Sequence, residues 1–133
     1  MDITGRYQLA SSENFDEYLK EIGVNFIKRK LASAMDSATV EITKTGDEYH
    51  LKTVTPVKTS EVKFVLNETV PEKTMDDRDV QSIFTLDNNV LKQKQSGEKG
   101  FESTIDREFN GNEMTATIRY KNVVAVRKYK KIT

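Results

Sequence analysis

The sequence predicts an all-β protein: a ten-stranded antiparallel up-and-down β-barrel with a helix-turn-helix lid between the first two strands. Residues typical of turns interrupt the chain at short intervals, at 45–47, 87–89, 96–100, 110–112 and 120–122. Between them lie runs rich in Val, Ile, Thr, Phe and Tyr, including 39–44, 49–54, 61–66, 83–86 and 114–120. So many consecutive hairpins must hide their edges, and closure into a barrel is the simplest way.

The lid follows a first strand predicted at about residues 4–10. Asn14 is a candidate N-cap for a helix that begins at Phe15, and Asp16 and Glu17 lie in its first turn, where the helix dipole favours acids. Gly23 marks a break. A second amphipathic run has apolar residues at three- and four-residue spacing, namely Val24, Ile27, Leu31 and Met35.

The chain of 133 residues is predicted to form a single domain, 1–133. This length supports one core but is too short for two ordinary domains. Only two prolines occur, and no Gly/Ser-rich or Pro-rich tract divides the chain.

Composition excludes several classes of function. Lys plus Arg and Asp plus Glu both total 21, so no basic excess favours nucleic acid. There is no cysteine, which excludes disulfides, thiol nucleophiles and cysteine-rich zinc sites. The first residues lack the apolar stretch of a signal peptide, and no apolar run approaches the length of a membrane span. We therefore expect a cytoplasmic protein.

No catalytic or metal motif is visible. His50 is the only histidine, and its place in an alternating segment predicts an exposed strand residue. Asp76 and Asp77 are adjacent, so in a strand they would point to opposite faces. There is no nucleophile elbow and no phosphate loop. We expect no enzyme activity, no cofactor and no metal.

Two arginines near the C-terminus carry the most informative chemistry. Arg107 shares a strand face with Ile105 and Phe109, which places it on the apolar side. Arg127 shares a face with Tyr129, although valines occur on both faces of that strand. The strand between them has one apolar face, formed by Met114, Ala116, Ile118 and Tyr120.

If both arginines face the interior, each needs an anion or trapped water, because unpaired buried charge is strongly unfavourable. The acids nearest in sequence, Asp106 and Glu108, point the other way. A lipid carboxylate held by Arg127 and the Tyr129 hydroxyl would complete the network. From these residues alone, a solvated strand face or an internal salt bridge remains an alternative.

A series of short motifs extends along the chain. It begins with Gly5-Arg6-Tyr7-Gln8-Leu9, Asn14-Phe15-Asp16-Glu17-Tyr18-Leu19, Ile22 and Gly23-Val24. It continues through Thr45-Gly46-Asp47, Leu51-Lys52-Thr53, Met75-Asp76-Asp77-Arg78, Arg107-Glu108 and Val126-Arg127-Lys128-Tyr129. In these motifs the chain resembles the cytosolic fatty-acid-binding proteins, the intracellular lipid-binding proteins of the calycin superfamily. Essentially the whole chain is covered.

The resemblance implies a monomeric carrier that binds a long-chain fatty acid non-covalently inside the barrel. Arg127 and Tyr129 match positions that hold the carboxylate, and Arg107 matches one that acts directly or through water. Asp76 matches a cavity position and could instead join an internal network with Arg78. The positions that match cavity-lining residues are Phe15, Tyr18, Leu19, Thr53, Asp76, Ala116 and Ile118.

The ligand class is narrowed but not fixed by this resemblance. Retinol-binding relatives have neutral residues at the two arginine positions, so retinol is disfavoured, whereas retinoic acid or another lipid carboxylate stays an alternative. A membrane- or protein-interaction module is the alternative of another class. Two departures are Tyr7, where relatives usually have tryptophan, and Val57, where many have phenylalanine.

A basic cluster on the lid, formed by Lys20, Lys28, Arg29 and Lys30, suggests transient contact with anionic membranes. Each basic residue near an anionic surface contributes about 1 kcal/mol, and a merely solvated helix face is the alternative. The residues expected at the portal or the membrane are Lys20, Ile27, Lys28, Lys30 and Val57.

Overall fold

The described residues of the chain form ten strands and a short α-helix in the computed structural model, which describes residues 2–25, 29, 37–56, 58–74 and 78–132. The elements are β1 (Gly5–Glu13), α1 (Phe15–Glu21), β2 (Thr39–Thr45), β3 (Glu48–Val54), β4 (Thr59–Val65), β5 (Thr69–Lys73), β6 (Asp79–Asp87), β7 (Val90–Ser96), β8 (Glu102–Asn110), β9 (Glu113–Tyr120) and β10 (Val123–Lys131). A 3-10 turn, Glu98–Gly100, precedes β8. The prediction of ten antiparallel strands is confirmed.

The strands form one sheet that is nearly closed. Each strand pairs with its neighbour in sequence and β1 pairs with β10, but β4 and β5 are the two ends of the ladder. The expectation that closure hides every edge is therefore wrong at this place. Ser60 donates from Oγ to the carbonyl of Lys73 at 3.4 Å, which links the two edges. Pro71 lies on β5, in keeping with the confinement of strand prolines to edges.

Strand β1 is longer than predicted and carries a β-bulge. It runs to Glu13, and its register with β10 shifts between Leu9 and Ser11. A bulge inserts an unpaired residue and turns the following side chains. As a result Ser12 pairs with Arg127.

The interior contains two clusters of buried apolar side chains. In the larger one, the rings of Phe64 and Phe84 stack with centroids 3.7 Å apart, and Tyr49 stacks on Phe64 at 5.3 Å. Such aromatic pairs add about 1 kcal/mol beyond their buried area. The smaller cluster seats α1 on β9 and β10 and contains Tyr18, Leu19, Val24, Ile118 and Ala125.

The start of α1 differs in detail from the prediction. Asn14 precedes the helix, but it adopts a left-handed conformation (φ 59°) and its side chain does not cap the helix. Its Nδ2 instead donates to the carbonyl of Val124 at 3.3 Å, which ties the entry of α1 to β10. Val24 and the residues next to it are described, but most of the predicted second helix lies outside the described residues. Among the described residues, no helix is long and apolar enough to span a bilayer.

Tyr7, which stands where relatives usually have tryptophan, packs in the larger apolar cluster. It is only 3% exposed, and its hydroxyl donates to the carbonyl of Ile3 at 3.0 Å. Its ring meets the edge of Phe109 at a centroid distance of 5.6 Å.

Replacing Tyr7 with phenylalanine should change the pH dependence of stability. At neutral pH, Tyr7→Phe loses one buried hydrogen bond and should lower the free energy of unfolding by about 1 kcal/mol. Burial raises the pKa of the Tyr7 hydroxyl above its ordinary 10.0. The contribution of the protonated Tyr7 hydroxyl to the free energy of unfolding is therefore complete below the unfolded-state pKa. It is lost as pH rises through the higher folded-state pKa. Urea unfolding should show that the gap between wild type and variant narrows above about pH 10; a constant gap would contradict this assignment.

Candidate ligand-binding site

Three neighbouring strands align two cationic side chains around a small residue. Arg107 on β8 and Arg127 on β10 are both cross-strand partners of Ala116 on β9. Since adjacent strands lie about 4.8 Å apart, the two arginine backbones are separated by about 10 Å. Ala125, two residues before Arg127, is fully buried, whereas Val124 is 40% exposed. The face of Arg127, which the sequence left ambiguous, is therefore the inner one.

Arg127 is held by contacts from three elements. Its Nε donates to the Tyr129 hydroxyl oxygen at 3.3 Å, and its Nη1 donates to Ser12 Oγ at 3.2 Å. The guanidinium carbon lies 4.1 Å from the centroid of the Phe15 ring, a cation–π contact with the first residue of α1. The head of Arg127 thus connects β10 to β1 and to the helix.

Arg107 lies in a different environment, where its partner is an amide. Its Nη1 donates to Gln93 Oε1 at 2.8 Å. Burial lowers the pKa of the Arg107 guanidinium, and the negative charge of Glu72 opposes that effect. An arginine nevertheless stays charged in proteins, so the interior holds a permanent cation here.

Glu72 on β5 is the acid that the sequence analysis missed. Its Oε1 accepts hydrogen bonds from Ser82 Oγ at 2.6 Å, Gln93 Nε2 at 2.8 Å and Gln95 Nε2 at 3.3 Å. Alternation along β5 places Glu72 on the same face as Val70, which indicates an inward side chain. Glu72 is distant from Arg107 in sequence, however, and the acids adjacent to Arg107 point outward. Arg107 thus has an internal acid that is distant in sequence, because Gln93 links it to Glu72.

Comparison with known proteins assigns the chain to a family. A profile described as the lipocalin / cytosolic fatty-acid binding protein family matches residues 4–132. The chain belongs to this family. It is 42% identical over 132 residues to a fatty acid-binding protein of Tyrophagus putrescentiae, with 98% of each chain covered.

Solved structures of the family share the fold. The fatty acid-binding protein from brain tissue of Drosophila melanogaster is 47% identical, with a TM-score of 0.87 over 94% of this chain and 95% of that chain. A Schistosoma mansoni fatty acid binding protein in complex with arachidonic acid is 30% identical, with a TM-score of 0.93 over 98% of this chain and 96% of that chain. The resemblance of the sequence to this family is thereby confirmed.

Several residues that the family resemblance assigns to the cavity lie between α1 and the sheet. Tyr18 stacks on Phe15 at a centroid distance of 6.1 Å, and its hydroxyl lies 2.9 Å from Ser103 Oγ. Leu19 and Ile118 are buried in the same cluster. The structure therefore brings these residues to the end of the barrel that carries Arg127.

Other predicted site residues are separate or lie outside the described residues. Thr53 is half-buried on β3, paired with Val40 and Ser60 rather than with the arginine strands. Lys20 is exposed in the last turn of α1. The predicted site residues that fall outside the described residues are Ile27, Lys28, Lys30, Val57 and Asp76.

Two further arginines from the sequence analysis, one from the predicted Asp76 network and one from the basic cluster, have partners in the structure. Arg78, the expected partner of Asp76, lies 4.7 Å from the Phe101 ring centroid. Arg29, from the basic cluster, approaches Asp16 of α1 at 3.3 Å. His50 faces outward and contacts Glu61 at 3.0 Å, in keeping with the prediction of a strand surface residue.

The contact between Tyr18 and Ser103 should stabilise the seat of the helix. Tyr18→Phe removes one buried hydrogen bond and should lower the free energy of unfolding by about 1 kcal/mol. Ser103→Ala should cost more, because Ser103 Oγ also donates to the Arg119 carbonyl at 2.9 Å. In urea unfolding, the double variant should cost less than the sum of the single variants, because the shared bond is lost only once. Strict additivity would show that the two hydroxyls are not coupled.

Proposed function

We propose that the protein binds one long-chain fatty acid non-covalently inside the barrel and transports it unchanged. The observation that carries this proposal is the pairing of Arg127 with Tyr129 on the inner face, at a distance of 3.3 Å, beside a largely apolar interior. The named ligand class of the relatives, including the arachidonic acid complex, supports the same reading.

The carboxylate is held by Arg127 and Tyr129. Arginine carries five N–H donors, of which Tyr129 and Ser12 each engage one. Because Arg127 donates to a lone pair of the Tyr129 oxygen, the phenol can still donate its own hydrogen to a carboxylate. Charge-assisted bonds of this kind are about twice as strong as neutral ones. Arg107, which is bonded to Gln93, acts as a second cation directly or through water.

The alkyl chain supplies most of the affinity. Burial of roughly ten methylenes at about 0.8 kcal/mol each contributes about 8 kcal/mol before the costs of binding are subtracted. The carboxylate contacts mainly fix orientation and ligand class. The side chains proposed to contact the alkyl chain are Phe15, Tyr18, Leu19, Thr53, Asp76, Ala116 and Ile118.

We further propose that the protein acts as a cytoplasmic monomer without a cofactor, and that it performs no chemistry on its ligand. Lys20 is exposed at the end of α1, where it can contribute to transient contact with anionic membranes. The same contact would involve Ile27, Lys28, Lys30 and Val57.

Removal of the Arg127 guanidinium should weaken binding of a carboxylate. Arg127→Ala should reduce oleate affinity about 10- to 100-fold, because hydrogen bonds to a charged group contribute about 1.5–3 kcal/mol. Affinity for oleyl alcohol, which has the same chain without the charge, should change much less. Displacement of a fluorescent fatty acid measures both ligands.

Arg119→Ala is the matched control for this experiment. Arg119 lies on the outer face of β9, where it pairs with Asp106 at 3.3 Å, so its removal should leave oleate affinity unchanged. Far-UV circular dichroism establishes that both variants fold. Wild-type oleate affinity in a folded Arg127→Ala variant would contradict the head-group assignment.

The lipid that co-purifies with the protein tests the ligand class. Native and denaturing mass spectrometry with organic extraction should identify a free fatty acid at about one per chain. A retinoid acid in its place would replace the fatty acid as ligand. Absence of any lipid, together with no displacement of a fluorescent fatty acid, would contradict the carrier function.

A further inference from the structure

The charges around the two arginines can be counted strand by strand. Strands β5 to β9 are completely described. Alternation and burial identify the side chains on their inner face, and two of these side chains are charged, those of Glu72 and Arg107. Arg127 on β10 is the third charge at this site. Among the described residues, these two cations and one anion give the head-group region one unmatched positive charge.

Gln93 connects the anion to one of the cations, and its orientation is fixed by chemistry. It is only 2% exposed. Its Oε1 accepts from Arg107 and its Nε2 donates to Glu72, both at 2.8 Å. A guanidinium can only donate and a carboxylate only accepts, so the amide satisfies both in a single orientation.

Glu72 is also held by its other partners. Ser82 on β6 and Gln95 on β7 donate to the same carboxylate oxygen, and both are almost fully buried. Glu72, Gln93 and Arg107 therefore form a preorganised unit whose charges already oppose each other. Arg127, by contrast, contacts only neutral partners, Tyr129, Ser12 and Phe15, in the contacts described above.

We propose that Glu72 is a specificity-determining residue, which offsets the charge of Arg107 and so restricts the site to a lipid head group with one negative charge. A dianionic head group would bring a second negative charge to a partly buried site in which, among the described residues, only one cation is unmatched, and unpaired charge removed from water is costly. This inference rests on the proposed function and names its head-group class.

Dodecyl sulfate and dodecyl phosphate form a matched pair of probes. They share chain length and a tetrahedral head, but at about pH 8.5 the sulfate carries one charge and the phosphate ester two, because the second pKa of a phosphate ester is about 6. Micromolar displacement of a fluorescent fatty acid gives both dissociation constants. Wild type should bind the sulfate more tightly. Glu72→Gln should shift the ratio of the two constants at least about tenfold toward the phosphate, a change of about 1.4 kcal/mol.

Two variants test whether the ratio of the two dissociation constants depends on charge at the inner face rather than on the loss of any carboxylate. Glu108→Gln makes the same charge change beside Arg107 in sequence, but Glu108 is exposed on the outer face, so the ratio should stay at its wild-type value. Glu72→Gln combined with Arg107→Gln removes both opposing charges and again leaves one unmatched cation. The double variant should therefore return to the wild-type ratio, and it tests the charge count even if Glu72→Gln alone fails to fold.

The outcomes distinguish this inference from the proposed function. A folded Glu72→Gln variant that binds oleate but keeps the wild-type ratio overturns the inference and leaves the carrier function standing. A double variant whose ratio shifts further toward the sulfate also overturns it, because Arg107 would then act as an uncompensated cation in wild type. Folded wild type that binds neither oleate nor dodecyl sulfate overturns the carrier function itself.

Discussion

The register of β8, β9 and β10 is the constraint on which the site depends. It aligns Arg107, Ala116 and Arg127 on one inner row. A slip of one residue in any of these strands would turn its arginine or alanine to the outer face. Two-residue loops, 111–112 and 121–122, join the strands and fix that register. The first residue of each loop has positive φ, 58° at Gly111 and 52° at Lys121, which glycine adopts readily and lysine does not.

The two arginines share a row but differ in what surrounds them. Arg107 belongs to a buried polar network that ends at Glu72, and this network satisfies its charge within the protein. Arg127 contacts the hydroxyls of Tyr129 and Ser12 and the ring of Phe15, so none of these contacts offsets its charge before a ligand binds. Because Phe15 begins α1, a group bound at Arg127 also contacts the residue that starts the lid. Head-group binding and the seat of the helix are therefore physically adjacent.

Local sequence signals predicted the strand series and the inward face of Arg107, because turns and alternation are encoded within a few residues. They could not predict the opening between β4 and β5 or the bulge in β1, which depend on how distant strands meet. Glu72 was missed for the same reason, since two strands, β6 and β7, lie between it and Arg107 in the sheet. Asn14 was the expected helix cap, but a tertiary contact to Val124 claims its side chain. The family resemblance supplied the cavity residues, of which the local pattern indicates only those on β9.

A crystal structure of the protein with bound oleate tests the central claim most directly, since it locates the carboxylate. The account predicts carboxylate oxygens within about 3 Å of the Arg127 guanidinium and the Tyr129 hydroxyl, while the Gln93 bridge between Glu72 and Arg107 stays intact. A carboxylate that contacts neither Arg127 nor Tyr129, such as one that faces solvent at the mouth of the barrel, would contradict it.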